Sequence, residues 1–430
     1  MDRHIEEWQQ QLVKCVRCGT CRAVCPVFKI TDNENTTARG KVKLIEAVTD
    51  GKLELTREMQ KRLDKCLLCE ACSVGCPAGV KTDELFMSAR RALADNNGIS
   101  YIKKIIYTGM TYRSLFNLAL RLGSVFQSLL FRDAPDKKGR FSRIPLPAAG
   151  LNKRRLFPAL AKMPLASLVP KVNKVSNPRA RVAFFPGCMM NYVYTDSGRA
   201  VIDILLANDV EVVIPDNLYC CGIMVAASGD YGTARHLAER NVAALSSDNY
   251  DAIITGCASC GATLKHKYGL VIDDPAVRQK WEKISEKVFD FTQYLTAKGY
   301  SREFADTGVK ITYHDPCHLV RGMKVSKEPR AVLKSIPGVE LAEMKDANKC
   351  CGCGGTFSAT HYDISRAINE EKIDNVEKTG AEVLLTGCSG CRMHLSDGLS
   401  RRGSKMTVMH TAEFIAKAYA AKKEQGRLNQ

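Results

Sequence analysis

The chain has 430 residues, 45% hydrophobic and 25% charged, enough for two or three folded domains with proper cores, which excludes wholesale disorder. Its net charge of +17 is concentrated: 17 basic against two acidic residues between Asn96 and Arg181 account for +15 of it, and the remainder is nearly neutral. No run reaches about 18 uninterrupted apolar residues, so no membrane-spanning helix is expected.

The opening residues, MDRHIEEWQQ, carry both signs of charge and no apolar core of the kind a secretory signal needs. The 19 cysteines fall into tight runs and adjacent pairs, a pattern of metal coordination rather than of a disulfide framework, so a reducing cytoplasmic compartment is expected. The first run is Cys15, Cys18, Cys21 and Cys25 followed by Pro26; Cys66, Cys69, Cys72 and Cys76 followed by Pro77 repeat it. Three thiolates at this spacing hold three irons of a cubane, and the fourth cysteine, turned away by its proline, ligates the neighbouring cube. This predicts one 4Fe-4S cluster on Cys15, Cys18, Cys21 and Cys76 and a second on Cys66, Cys69, Cys72 and Cys25. Two zinc sites are the competing reading, although structural zinc is usually held by two separated pairs of ligands. Helices are predicted over Val42–Val48 and Thr56–Leu63, giving a mainly helical dicluster head over residues 1–95. Arg39-Gly40 is expected to help position the first cluster loop.

Residues 96–181 form a basic connector. Tyr101, Ile102, Ile105, Ile106, Leu115, Phe116, Leu118, Leu122, Val125, Phe126 and Leu129 recur at near-helical spacing with Lys103, Lys104, Arg113 and Arg121 between them, which predicts amphipathic helix. Pro145, Pro147, Pro158, Pro164 and Pro170 then predict an extended strap. A basic segment attracts phosphate, but the interleaved apolar residues and the lack of a binding module argue against nucleic acid as a partner. An anionic membrane surface or a partner subunit suits the segment better, with a plain solvated helix as the alternative.

From Val182 one pattern occurs twice. Cys188, Cys220-Cys221-Gly222 and Cys257-x-x-Cys260 are separated by 31 and 35 residues; Cys317, Cys350-Cys351-Gly352 and Cys388-x-x-Cys391 by 32 and 36. Such agreement marks a duplication, with copies at 182–305 and 306–430. The runs VAFFPG, AIITG, VKITYHDP and EVLLTG each end at a cysteine and read as buried parallel strands, with crossover helices over Thr233–Leu245 and Ile364–Lys378. Thiols at strand carboxyl ends stand where α/β sheets place ligands. Adjacent cysteines diverge too much to share one metal ion but can bind different irons of one cluster. The ten thiols are therefore candidate metal ligands, and the sites they form are open between one or two further clusters, zinc, and buried unligated cysteines. Cys353 is a sixth thiol in the second copy. His314 and His318, flanking Cys317, read as core polar groups with satisfied hydrogen bonds ahead of ligands or proton donors. No Gly-rich nucleotide fingerprint is present, so no substrate-oxidising site and no catalytic residue are expected in this chain. The fold class expected is α+β multidomain: a helical dicluster head followed by two tandem α/β domains.

The duplicated cysteine pattern resembles the CCG domain of the heterodisulfide reductases, where it can hold a noncubane 4Fe-4S cluster. The head, with CVRCGTCRAVCP, TTARGKVKLIEAV and CLLCEACSVGCPAGV, resembles the iron-sulfur subunit of bacterial glycolate oxidase; the tail, with CCGCGGTFSATHYDIS, TGCSGCRMHL and RRGSKMTVMHTAEFI, resembles the lactate utilisation protein A family. The connector is unmatched. These resemblances imply an oxidoreductase complex acting on glycolate or lactate. In it an FAD-containing dehydrogenase subunit would send electrons through this chain to quinone or another carrier, with peripheral contact at the inner face of the cell membrane. The alternatives are a thiol/disulfide redox enzyme of heterodisulfide reductase type and the iron-sulfur anchor subunit of an anaerobic glycerol-3-phosphate dehydrogenase.

Overall fold

Thr37 and Thr56 each begin a helix of the head by accepting a backbone N–H three residues on, at 3.0 Å from Gly40 and 3.2 Å from Met59. The computed structural model describes residues 8–134, 139–143 and 155–428. In the head, helices Ala38–Thr49, Arg57–Asp64 and Thr82–Asn97 bury Ile45, Leu63, Phe86 and Leu93 against one another, and two short turns, Thr20–Ala23 and Ala71–Val74, follow the cysteine loops. The expected helices are present.

The connector forms helices Tyr101–Thr111 and Arg113–Leu130. They do not hide their apolar stripe. Tyr107 and Met110 face the first repeat, where the Tyr107 hydroxyl lies 2.9 Å from Ser228 Oγ, and Phe116 meets Tyr192 edge-on. Most of the other apolar side chains point to solvent. A small antiparallel sheet follows, β1 (Phe131–Asp133), β2 (Arg140–Ser142) and β3 (Leu156–Phe157). Around Pro158, Pro164 and Pro170 the chain is mostly extended, with a four-residue helix at Leu165–Leu168, and Leu156 and Leu165 are buried as its anchors. Pro145 and Pro147 lie outside the described residues.

Beyond this, β4 (Val172–Asn173), β5 (Ala180–Phe185), β6 (Val210–Val213), β7 (Ala252–Thr255) and β8 (Val288–Asp290) form one sheet in the order β4-β6-β5-β7-β8, parallel except for β4. The second sheet contains β9 (Lys310–His314), β10 (Glu340–Leu341), β11 (Val383–Thr386) and β12 (Thr407–His410) in the order β10-β9-β11-β12, all parallel. Leaving out β4, the two orders are the same. Helices Tyr231–Leu245 and Tyr362–Glu377 are the long crossovers. The β-branched and aromatic strands are buried on both faces, as parallel strands between helices must be. The family-level architecture expected from sequence, a helical head and two tandem α/β domains, is the one observed.

Buried ions lock the modules together. Lys267 of the first repeat pairs with Glu70 and Asp83 of the head, all three nearly out of solvent. Between the repeats, Arg392 pairs with Glu413 and lies 2.9 Å from Ser197 Oγ, its guanidinium stacked 4.3 Å from the Tyr194 ring centroid. Burial alone would raise the Asp83 pKa; the Lys267 ammonium reverses this and holds the carboxyl below its ordinary range. A carboxylate so depressed stabilises the fold above its unfolded pKa of about 3.9, and this contribution is lost as pH falls through the lower folded value. Lys267→Met, which leaves two buried carboxylates without their cation, is expected to cost about 3–5 kcal/mol. Denaturant titrations of the two proteins at pH 7 and pH 4 measure this, and the variant should gain relative to wild type as the acid protonates its unpaired carboxyls.

Candidate metal centres

The two head loops share one backbone solution. Two and four residues after the first cysteine of each run the chain adopts left-handed φ: Arg17 (57°) and Gly19 (84°) in one, Leu68 (51°) and Glu70 (63°) in the other. Non-glycine residues reach this region at a cost, and Glu70 is held there by Lys267. Each loop curls its thiols inward before a short helix starts at Thr20 or Ala71. Cys15, Cys18, Cys21 and Cys76 line one cavity, Cys25, Cys66 and Cys69 line another, and Cys72 borders both. The fourth cysteine of each run thus lies beside the first three of the other run.

Arg39 is bound to Glu34 at 2.7 Å, and its backbone supports Cys21. Gly40 is required because a Cβ there would fall 2.1 Å from the Glu34 carbonyl. The buried Lys41 ammonium, held by the Thr36 carbonyl, lies near Cys25 and Cys66. Burial pushes the Cys25 thiol up to about 11, and the neighbouring Cys66 and Cys69 add to the rise. Four such thiols cannot all ionise unless a cationic centre joins them, so this donor set fits a metal cluster.

The repeats place all ten of their motif thiols, together with Cys353, around a single cavity of about 200 Å³. The carboxyl ends of β5 and β7 deliver Cys188 and Cys257; those of β9 and β11 deliver Cys317 and Cys388. The two sheet ends face each other: Ala258 N–H donates to the Gly387 carbonyl at 3.1 Å, His410 Nε2 lies 2.7 Å from the Gly256 carbonyl, and Ser259 Oγ lies 3.7 Å from Cys388 Sγ. Cys220 and Cys188 sulfurs are 3.6 Å apart, and Cys257 meets Cys388 across the boundary. Gly222 and Gly352 turn the paired cysteines with φ of 80° and 91°, and a Cβ on Gly352 would strike the Ser365 carbonyl at 2.5 Å. The spacing does not reveal that both repeats share one chamber.

The head joins the same chamber. Cys66, Leu67 and Leu68 form part of its wall, and Cys69 reaches Cys350, whose thiol, with burial, pushes the Cys69 pKa up. Val27, Leu67, Phe357 and Ile368 pack around that junction. His318 ties three modules, with Nδ1 3.1 Å from Ser259 Oγ and Nε2 3.2 Å from the Leu68 carbonyl, and Arg321 donates to the Cys69 carbonyl at 2.8 Å. His318 is the satisfied polar group expected. His314 is not: it is fully buried and neither ring nitrogen makes a well-aligned hydrogen bond, the strand end placing it beside the Ala347 carbonyl, Lys372, Asp315 and Cys388.

Residues 11–80 match the family model described as a 4Fe-4S dicluster domain, and residues 182–265 and 311–396 each match the cysteine-rich domain model. The probable glycolate oxidase iron-sulfur subunit of Bacillus subtilis (strain 168) is 30% identical over 425 residues, covering 95% of this chain and 94% of that protein. One subunit of the fumarate reductase (CoM/CoB) of Methanothermobacter marburgensis is 35% identical over 248 residues, 57% of this chain and 47% of the relative. Lactate utilization protein A of Bacillus subtilis (strain 168) is 31% identical over 236 residues, 55% of this chain and 98% of the relative. Fold, thiol sites and family models together define an iron-sulfur protein with a dicluster head and two cysteine-rich domains. The chain belongs to the family of glycolate oxidase iron-sulfur subunits.

Gly187, at φ 63°, leaves room for the Cys260 sulfur, which a Cβ would meet at 2.6 Å. Gly187→Ala is expected to displace that thiol and lower the metal retained per chain, measured by elemental analysis. Gly109→Ala, in open helical surface, should leave it unchanged.

Proposed function

We propose that this chain is the electron-transfer subunit of a flavin-dependent 2-hydroxyacid dehydrogenase complex, oxidising glycolate or lactate on a separate FAD subunit and delivering electrons towards quinone. Cys15, Cys18, Cys21 and Cys76 would hold one 4Fe-4S cluster and Cys66, Cys69, Cys72 and Cys25 a second. Cys188, Cys220, Cys221, Cys257, Cys260, Cys317, Cys350, Cys351, Cys388 and Cys391 would hold one or two more. Bound clusters supply one-electron carriers. The chain's own part is to group the thiols, exclude water and tune the sites with Lys41 and the buried backbone.

The observation that carries this reading is the gradient of thiol burial. It runs from exposed Cys18, through the half-buried second loop, to buried Cys69 against Cys350 and the inter-repeat chamber, most of whose thiols are buried. A relay needs that succession of neighbouring sites with one end accessible to a partner; a single-site enzyme does not. The relative named for a fumarate reductase is matched over under half of its length, too little to favour the thiol/disulfide alternative.

Anaerobic purification with the flavoprotein, followed by iron counting, tests the assignment. About eight irons would fill the head alone, and about twelve or sixteen would add one or two centres in the repeats. Cys25→Ser should weaken the same paramagnetic signal as Cys66→Ser, and Cys76→Ser the other. Stoichiometric zinc with no signal on reduction overturns the relay.

The connector supports membrane contact. Tyr101 is 77% exposed, Val125 66% and Leu129 69%, and Ile105, Leu118 and Phe126 each exceed half, forming an apolar face beside Lys104 and Arg121. Among the described residues no helix is long and apolar enough to cross a membrane. An apolar stripe beside cationic side chains suits the interface of an anionic bilayer, where each Lys or Arg adds about 1 kcal/mol. The full chain is expected to float with phosphatidylglycerol-containing vesicles and poorly with neutral ones. Val125→Glu with Leu129→Glu should abolish flotation while leaving the iron content intact, and flotation unaffected by the pair would overturn the assignment.

A further inference from the structure

We propose that His314 is a nitrogen ligand to the iron-sulfur centre of the second repeat, so that the two repeats hold inequivalent metal sites, one all-thiolate and one mixed thiolate and imidazole. The inference rests on the reading that the repeats bind clusters.

The register defines the comparison. His314 is the last residue of β9 and pairs with Thr386 of β11, whereas Phe185 is the last residue of β5 and pairs with Thr255 of β7. Each threonine is followed by the Gly-Cys that opens a CxxC helix, so His314 and Phe185 occupy the same place in the two copies. Phe185 fills it as an apolar core residue with no exposure. An imidazole there must find partners, because a buried polar group left unsatisfied keeps its full desolvation cost.

The neighbouring histidines find theirs. His318 and His410 use both ring nitrogens, and His394 uses one, on Ser365. His314 makes no well-aligned hydrogen bond at either nitrogen, with only the Ala347 carbonyl beside the ring. What it faces instead is a donor set: a ring nitrogen of His314 and the sulfurs of Cys351 and Cys391 all lie within 4.8 Å of one another, with all three residues buried. Among the described residues no other trio of metal-ligating side chains is so close. The Ala347 carbonyl, beside the ring, is the kind of acceptor that a metal-bound histidine uses for its second N–H.

Binding requires no redox step and no loss of protons from the ring. The neutral imidazole gives a nitrogen lone pair to iron and keeps its proton on the other nitrogen. A neutral imidazole bound in place of one of the surrounding thiolates leaves the cluster with less negative charge and a higher reduction potential, as histidine ligation does in other iron-sulfur centres. The second repeat is then the more readily reduced of the two.

The test uses the anaerobically purified full chain, unlabelled and with 15N-histidine, examined by pulsed electron paramagnetic resonance. A coordinated-imidazole nitrogen coupling that changes with the isotope is expected on one reduced centre. In His314→Phe, which installs the first repeat's own residue, that coupling should vanish while the head signals persist, and the affected centre should titrate at lower potential or lose its iron. A wild-type spectrum without nitrogen coupling, or a coupling that survives in the variant, overturns the proposal. If the variant fails to fold, the wild-type spectrum still decides. Iron at about twelve or more per chain without nitrogen coupling sinks this inference alone; about eight irons sinks the cluster reading of the repeats with it.

Discussion

The carboxyl ends of two parallel sheets point at one another, and this opposition collects the chemistry of the molecule. A parallel strand ends with its last side chains aimed out of the sheet, and at the boundary between first and third strands the flanking crossovers diverge and leave a crevice. One such crevice is open to water. Two of them, pressed mouth to mouth through Ala258, Gly387, His410 and Gly256, make a chamber walled by eleven thiols. The duplication matters because each copy closes the other's open side.

Closure makes charge the governing difficulty. Thiols packed together repel one another as thiolates: burial raises the pKa of Cys25 and Cys72, and the Cys350 thiol together with burial raises those of Cys69 and Cys317. Only a multivalent cationic centre lets them coexist ionised. The same logic places Lys41 and Lys372 within reach of the sulfurs, each buried with its ammonium on backbone carbonyls. Ion pairs that cross module boundaries, Lys267 with Glu70 and Asp83, and Arg392 with Glu413, keep the walls from parting.

Much of this was legible in the residues because the chemistry is local. The head loops, the duplication, the strand ends at Cys188, Cys257, Cys317 and Cys388, and the crossover helices all follow from spacing and short-range pattern. What spacing cannot carry is contact between distant segments: the shared chamber, the approach of Cys69 to Cys350, and the bridging of three modules by His318. The connector shows the limit differently. Its period correctly indicated amphipathic helices, but period alone cannot say whether the apolar stripe faces a core or solvent, and here only Tyr107, Met110 and a few neighbours face inward. His314 looked like an ordinary core histidine because its lack of well-aligned hydrogen bonds is a property of the folded strand end.

The burial gradient along the thiols also orders their vulnerability. Oxidants arriving from solvent meet Cys18 first, then the partly exposed thiols, with Cys188, Cys220 and Cys317 among them, and reach the buried thiols of the chamber last. Damage therefore begins at the accessible terminus of the conduit and spares its interior, so the part of the molecule that must remain open to a partner is also its sacrificial layer.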